Sequence, residues 1–293
     1  MPSRHPVLPL CLALGAVASA PARGAADDDT PTRFERIGQA FRSVPDDLGG
    51  IARYPVDHWR ETRNGLLLVG ALVAADKPLT RYWQDHIETS LDGFQLPRSP
   101  LHSITNGHAA GEDGWLLAGV GATYLYGFAL DDGKAQETGI RATKAVTYSY
   151  VVSQLLLKSL TGRRRPLDSL SDGQPDGIRT RNPYDFGHVH APQWNSDARD
   201  SSMPSFHFTM FFSVATVYSR MNDDAWWPYG LAAVGLASNV RGHHHWVSDM
   251  VAGALVGTAI GRVVTQSAVD DERLAITPFV EPGGTGIRVS YRF

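Results

Sequence analysis

The chain has almost no cysteine, no excess of positive charge and no series of long apolar runs, and each shortage excludes something. Cys11 is the only cysteine, so the rest of the chain can form no disulfide and no thiolate metal site. Lys and Arg number 27 against 30 Asp and Glu, a formal charge of -3. A general nucleic-acid binder needs a basic surface, so no nucleic-acid partner is expected. A polytopic membrane protein needs repeated stretches of about 20 apolar residues. The best runs here, Gly65 to Ala75, Gly114 to Leu130 and Met250 to Ile260, are shorter or diluted, and the mean hydropathy is -0.20.

What is present suffices for one sizeable core: 293 residues, 43% of them hydrophobic. At the start, Arg4 and His5 precede a short apolar region, Val7 to Ala20, then small residues and the acidic run Asp27-Asp28-Asp29. This pattern predicts a cleaved signal over residues 1–26, with cleavage after Ala22, Gly24 or Ala26. The expected location is the periplasm of a Gram-negative bacterium, free or associated with the envelope. Leu10 stands before Cys11 where a lipoprotein signal wants a small residue, so no lipid anchor is predicted.

Residues 30–270 read as one helical domain. Trp59 to Ala75, Asp113 to Leu130, Lys134 to Ser159, Ser205 to Met221, Ala225 to Val240 and Ser248 to Ser267 are runs of helix length. Gly, Pro, Asp and Asn separate them, as at Asp76-Lys77-Pro78 and Asp131-Asp132-Gly133. Asp168 to Ser202 is a polar connection long enough to suggest a functional loop. Leu274 to Val280 and Ile287 to Phe293 alternate apolar and polar residues around Glu281-Pro282-Gly283-Gly284. They predict a β-hairpin over 271–293, packed on the helical body rather than part of a barrel. The expected fold class is therefore all-α, a multi-helix bundle with a short C-terminal β-hairpin.

Three local features carry chemistry. Lys158, Arg163, Arg164 and Arg165 cluster where Gly162 and Pro166 stop a long helix. Ser201-Ser202-Met203-Pro204-Ser205-Phe206-His207 precedes an apolar helix, with Ser205 a plausible N-cap and the first-turn amides a ready anion site. In Gly242-His243-His244-His245-Trp246-Val247-Ser248-Asp249, the carboxylate of Asp249 lies four residues after His245, at the head of a helix capped by Ser248. It can fix that ring's tautomer and leave the other nitrogen nucleophilic. The three adjacent histidines, with His188 and His190, offer a metal site as the alternative; the usual zinc spacings are absent. Together the features match phosphate-ester hydrolysis: cations for the oxygens, an in-line nucleophile, and an acid for the leaving group.

On these residues the sequence resembles the type 2 phosphatidic acid phosphatases and their vanadium-haloperoxidase relatives. That family's pattern is Lys, six residues, Arg-Pro; Pro-Ser-Gly-His; and Ser-Arg, five residues, His, three residues, Asp. Here Lys158, Arg165 and Pro166 match the first part, Pro204, Ser205 and His207 the second, and Ser238, His245 and Asp249 the third. Tyr124-Leu125-Tyr126-Gly127 and Glu137-Thr138-Gly139 resemble periplasmic bacterial members. The resemblance implies the acid phosphatase/vanadium haloperoxidase type of bundle and a catalytic set of His245, His207 and Asp249. His245 attacks phosphorus, Asp249 orients it, and His207 protonates the leaving alcohol and then activates water. Lys158, Arg165, Ser205 and the backbone amide of Phe206 hold the phosphoryl group.

Two positions depart from the pattern. Phe206 replaces the family's Gly, which keeps the amide and adds an apolar side chain. Asn239 replaces the third-motif Arg in the phosphate site, removing one of three cations. Arg241 lies about 200° away around a helix axis, so Arg163 or Arg164 is the alternative source of that charge. The expected function is a metal-independent phosphatase needing no cofactor. It would act on lipid phosphates such as phosphatidate or isoprenyl diphosphate, or on small phosphate esters, with peripheral membrane contact. A vanadate-dependent haloperoxidase, a phosphoryl transferase and a catalytically retired envelope protein are the alternatives.

Overall fold

The computed structural model describes residues 31–103, 111–174, 176–194, 200–238, 240, 244–281 and 284–291, with side chains described as far as 266. The signal expected over residues 1–26 lies outside them, as does Asn239. Helices α1 (Arg33–Arg42), α2 (Val44–Asp57) and α3 (Trp59–Tyr82) lead into a π-helical stretch, Trp83–Glu88. Next come α4 (Glu112–Leu130) and α5 (Gly133–Ser149), and a second π-helical stretch, Tyr150–Leu157, carries α5 unbroken into α6 (Lys158–Thr161). A long coil then precedes α7 (Phe206–Arg220), α8 (Trp227–Ala237) and α9 (Val247–Arg273).

The centre of the bundle is the pair α7 and α9. Gly253, Gly257 and Gly261 recur every four residues along α9, so they form one stripe. Cβ atoms added there would come within 2.5, 2.2 and 2.6 Å of the carbonyl oxygens of Ser205, Thr209 and Ser213. Only glycine lets the two backbones approach that closely. On its other side α7 meets α5, where the buried hydroxyls of Ser149 and Ser213 lie 2.9 Å apart. Around this contact Val120, Ala142, Ala145, Tyr148, Val214, Val217, Ile260 and Val264 form the main core. By length and composition the Val247–Gln266 part of α9 can cross a membrane, and 44% of its apolar window is buried inside the protein.

Three expectations need correction. Asp76-Lys77-Pro78 is no break: α3 continues through Pro78 to Tyr82. Proline forfeits one backbone hydrogen bond there, but Asp76, Thr80 and Gln84 lie four residues apart and are all buried, so polar anchoring carries the helix past it. Likewise Lys134 to Ser159 is not one α-helix, because the eight residues Tyr150–Leu157 adopt the wider π form.

The third correction concerns fold class, which is helical. Leu274–Glu281 and Gly284–Tyr291 pair antiparallel, Leu274 opposite Tyr291, but the expected hairpin packed on the body is not supported. α9 runs without a turn to Arg273, directly before the first strand residue, so no reversal brings the strands back onto the bundle. An isolated two-stranded ribbon is marginal in water, and it forms no layer of this fold.

The glycine stripe makes a stability prediction. Gly257→Ala is expected to destabilise the protein by about 1–3 kcal/mol through overpacking. Gly70→Ala, where an added Cβ meets nothing within 4 Å, is expected to be neutral or to stabilise by up to about 1 kcal/mol. Urea unfolding midpoints of the two variants check this.

Candidate active site

The first motif is delivered by the end of α6. Gly162 stops the helix in the left-handed conformation, φ +48°, donating its N–H to Lys158 O at 3.0 Å. A Cβ there would lie 2.2 Å from the His188 backbone, so no other residue fits. The coil beyond has no ladder of its own and is clamped by backbone bonds. Arg164 N–H donates to Asp185 O, Thr180 N–H to Arg165 O, and Ser202 N–H to Arg163 O, at 2.9–3.0 Å. The polar loop thus wraps the Arg-Arg-Arg segment and sets each side chain's direction. Lys158 is buried, with Nζ donating to Gln154 Oε1 at 2.8 Å.

The second motif sits at the start of α7. Ser205 occupies the N-cap position but makes no side-chain cap bond. Its hydroxyl is fully buried without a hydrogen-bond partner. The first-turn amides, beginning with Phe206, therefore lack the usual cap, and such amides attract anions. His207, in the same turn, presents Nε2 to Asp113 Oδ2 of α4 at 3.2 Å.

The third motif opens α9, which begins at Val247, so Ser248 lies inside the first turn rather than capping it. The capping comes from elsewhere. Trp246 N–H donates to Asp249 Oδ2 at 3.0 Å, Val247 N–H to Thr80 Oγ1 at 3.2 Å, and Ser248 N–H to Asp76 Oδ1 at 2.9 Å. Asp249 also accepts the Ser202 hydroxyl on Oδ2 at 2.5 Å and Arg163 Nη1 on Oδ1 at 2.6 Å. His245 Nδ1 stands 3.5 Å from Asp249 Oδ2, at ion-pair range but with no hydrogen bond. His244 turns away in a left-handed conformation, φ +43°, its Nδ1 3.0 Å from Asp168 Oδ1.

Electrostatics bring the three motifs together. Burial, and then the nearby charges of Arg165, Lys158, His207 and His244, hold His245 well below the usual histidine value, so its ring is uncharged at neutral pH. Burial pushes Lys158 down to about 7, helped by Arg165 and opposed by Asp249. Burial likewise lowers Arg165 to about 10, with Asp249 opposing and Arg179 assisting. Lys158, Arg165, His207, His245 and Asp249 thus act on one another across a single buried site. Its parts are an uncharged imidazole beside a carboxylate, two buried cations, uncapped amides and a second, half-buried imidazole. Those are the components of nucleophilic displacement at a phosphate ester.

Other expectations meet different outcomes. Arg163 supplies no charge to a phosphate, because it is fully buried and bonded to Asp76 Oδ2, Ser248 Oγ, Asp249 Oδ1 and Pro183 O at 2.6–2.7 Å. Arg164 faces Asp200 at 3.2 Å. His188 binds Asp185 and His190 lies against the carbonyls of Ala191 and Asp200, and among the described residues neither belongs to a group able to hold a metal ion. Arg179 pairs with Asp168, and Arg181 donates to Gly173 O at 2.6 Å. Asn239 lies outside the described residues.

Two neighbours of the site were not singled out from sequence: Asp76 and Asp113. A polar residue every four positions, Asp76, Thr80 and Gln84, was the available signal for the first. For Asp113 there was only its place in a helix's first turn, which acidic residues favour for the dipole alone. With Glu112 and His207 it forms a group able to hold a metal ion, their ligand atoms lying within 4.8 Å of one another.

Comparison with protein-family models gives a match to the PAP2 superfamily over residues 142–273. No curated protein and no solved structure matches the chain. The matched segment contains Lys158, Arg165, Ser205, His207, His245 and Asp249 but neither Asp76 nor Asp113.

The buried lysine predicts a pH dependence. As a base depressed to about 7, Lys158 loses its charge in the free protein as pH rises through that value. Turnover measured as kcat/KM is expected to fall about tenfold per pH unit above it. Lys158→Arg, which stays charged, is expected to move that limb to higher pH. A limb left in place would assign the titration to another group.

Proposed function

We propose, from the match of residues 142–273 to the PAP2 superfamily and the phosphatase-type activity on phosphate esters that it supports, a metal-independent hydrolase working through a phosphohistidine at His245. The observation that carries this reading is the buried, uncharged imidazole of His245 beside Asp249 and within the fields of Lys158 and Arg165. Lys158, Arg165, the Ser205 hydroxyl and the Phe206 amide hold the phosphoryl oxygens. His245 forms the N–P bond as the P–O bond to the leaving alcohol breaks, and His207 gives that oxygen its proton. Water then attacks phosphorus, His207 takes its proton, the N–P bond breaks and inorganic phosphate departs. Asp249 favours the positive charge that His245 carries in between.

The aromatic lining supports an apolar alcohol as leaving group. Phe206, which replaces a glycine of the family pattern, packs edge-on against Tyr150 at 5.7 Å between ring centroids. Tyr150 stacks with Trp194 at 6.3 Å, and Phe206 lies 5.7 Å from the His207 ring. An acyl or isoprenyl chain leaving through this mouth would cover rings otherwise in water, since Trp194 is 75% exposed. Phosphatidate-like and isoprenyl diphosphate substrates are the class we propose, with peripheral membrane contact and a periplasmic location. Exposed Trp59, Leu66, Leu67 and Leu68 on α3 are in keeping with that contact.

Phosphate release from an aryl phosphate and from phosphatidate in detergent, in the presence of chelator, tests the reading. The protein is expected to hydrolyse both and to prefer phosphatidate. His245→Ala is expected to lose about a thousandfold or more. Phe206→Gly is expected to reduce the preference for the long-chain substrate by roughly tenfold. No release by a folded protein, or release undiminished in His245→Ala, overturns it.

A further inference from the structure

The chemistry so far uses one face of Asp249; the other face belongs to a fully buried cluster that the mechanism leaves unused. Arg163, Asp76, Ser248 and Asp249 are all at 0% exposure. Arg163 divides its guanidinium between two carboxylates: Nη2 donates to Asp76 Oδ2 at 2.7 Å and Nη1 to Asp249 Oδ1 at 2.6 Å. Ser248 closes the ring. Its hydroxyl accepts from Arg163 Nη1 at 2.7 Å and donates to Asp76 Oδ2, while its N–H donates to Asp76 Oδ1 at 2.9 Å. The rings of Phe186 and Trp246 cover the guanidinium at 4.6 and 5.2 Å.

A guanidinium facing a single carboxylate forms a two-pronged pair with it. Shared as it is here, Arg163 gives Asp249 only one prong, and the cluster of one cation and two anions keeps one net negative charge behind His245. That charge is what a ring facing Lys158, Arg165, His207 and its neighbour His244 needs in order to carry a positive phosphohistidine.

We infer that Asp76 is a positioning residue for the His245 site: by holding half of Arg163 it limits Asp249 to a single guanidinium contact, on Oδ1, and keeps Oδ2 on the side of the His245 ring, which it orients and charge-balances. This inference rests on the phosphohistidine reading. Asp76 acts through Arg163 and Asp249 and touches no substrate. Its carboxylate also holds the Ser248 amide, so it fixes the start of α9, and with it the reach of Asp249 toward His245. The residue stands on α3, outside the segment matched to the superfamily.

The test compares Asp76→Asn, Asp76→Glu and Thr80→Val in the full chain. Thr80 caps the adjacent amide of the same helix start without a charge, so its variant reports loss of a neutral cap at that helix start alone. Two readouts are taken: kcat and KM with an aryl phosphate, and the ring ¹⁵N shifts of His245 at neutral pH, which report its tautomer. In Asp76→Asn, kcat is expected to fall about 10–100-fold, the usual cost of losing an outer partner, with KM within about twofold. The fraction of His245 protonated on Nδ1 is expected to drop. Asp76→Glu is expected to restore part of both, and Thr80→Val to leave the tautomer as in the wild type. An unchanged tautomer in Asp76→Asn, or the same change in Thr80→Val, overturns the inference. Should the wild type release no phosphate, the phosphohistidine reading fails by itself, and the ¹⁵N shifts still decide whether Asp76 sets the His245 ring.

Discussion

One guanidinium buried between two carboxylates ties this molecule together. Arg163 lies in coil, Asp76 on the third helix and Asp249 at the start of the last, so a single cation joins segments nearly ninety residues apart on either side of it. Taking three charges out of water is costly, and such clusters rarely add net stability over an apolar replacement of equal shape. Removing one member is a different matter, since it leaves a buried charge uncompensated at about 3–5 kcal/mol. The cluster therefore fixes where α9 begins relative to α3 and the arginine coil more than it strengthens the fold. The position of His245 depends on that junction, because the residue stands two positions before α9 begins.

The two helix starts at the site are finished differently, and the difference assigns their tasks. At α9 the Trp246, Val247 and Ser248 amides are taken by Asp249, Thr80 and Asp76. At α7 the cap residue Ser205 keeps its hydroxyl buried and leaves the first-turn amides uncapped. A helix start with its amides satisfied by carboxylates repels an anion, whereas one with amides open attracts it. On the proposed reading the phosphoryl group lies at the start of α7, and His245 reaches it from just before α9. The glycine stripe that draws the two helices together also brings these two starts side by side, since Gly253 lies under Ser205 O.

Much of this was legible in the sequence, for identifiable reasons. Helical class follows from runs of helix length set apart by Gly, Pro, Asp and Asn, the stop at Gly162 from glycine's access to positive φ, and the His245–Asp249 relation from four-residue spacing. Ser205 was placed correctly as an N-cap position, although its hydroxyl does not cap. What was hidden needed the third dimension. Three consecutive arginines look alike in a string; folding buries Arg163 between carboxylates, sends Arg164 to Asp200 and leaves Arg165 to act on His245. Asp76 was concealed because Pro78 reads as a helix breaker, while buried polar anchors override that local cost. The hairpin shows the converse limit: alternation signals strand, but it does not say what the strand packs on.

The central claim is that His245 is the nucleophile, with its Nδ1 side turned to Asp249 and its other nitrogen to phosphorus. The most direct measurement is rapid quenching of the protein during turnover of a radiolabelled phosphate ester, followed by peptide mapping of the acid-labile phosphate. The account predicts phosphate on His245 through Nε2, and none in His245→Ala. Phosphate on His207, or turnover that proceeds with no protein-bound phosphate at any time, would contradict it.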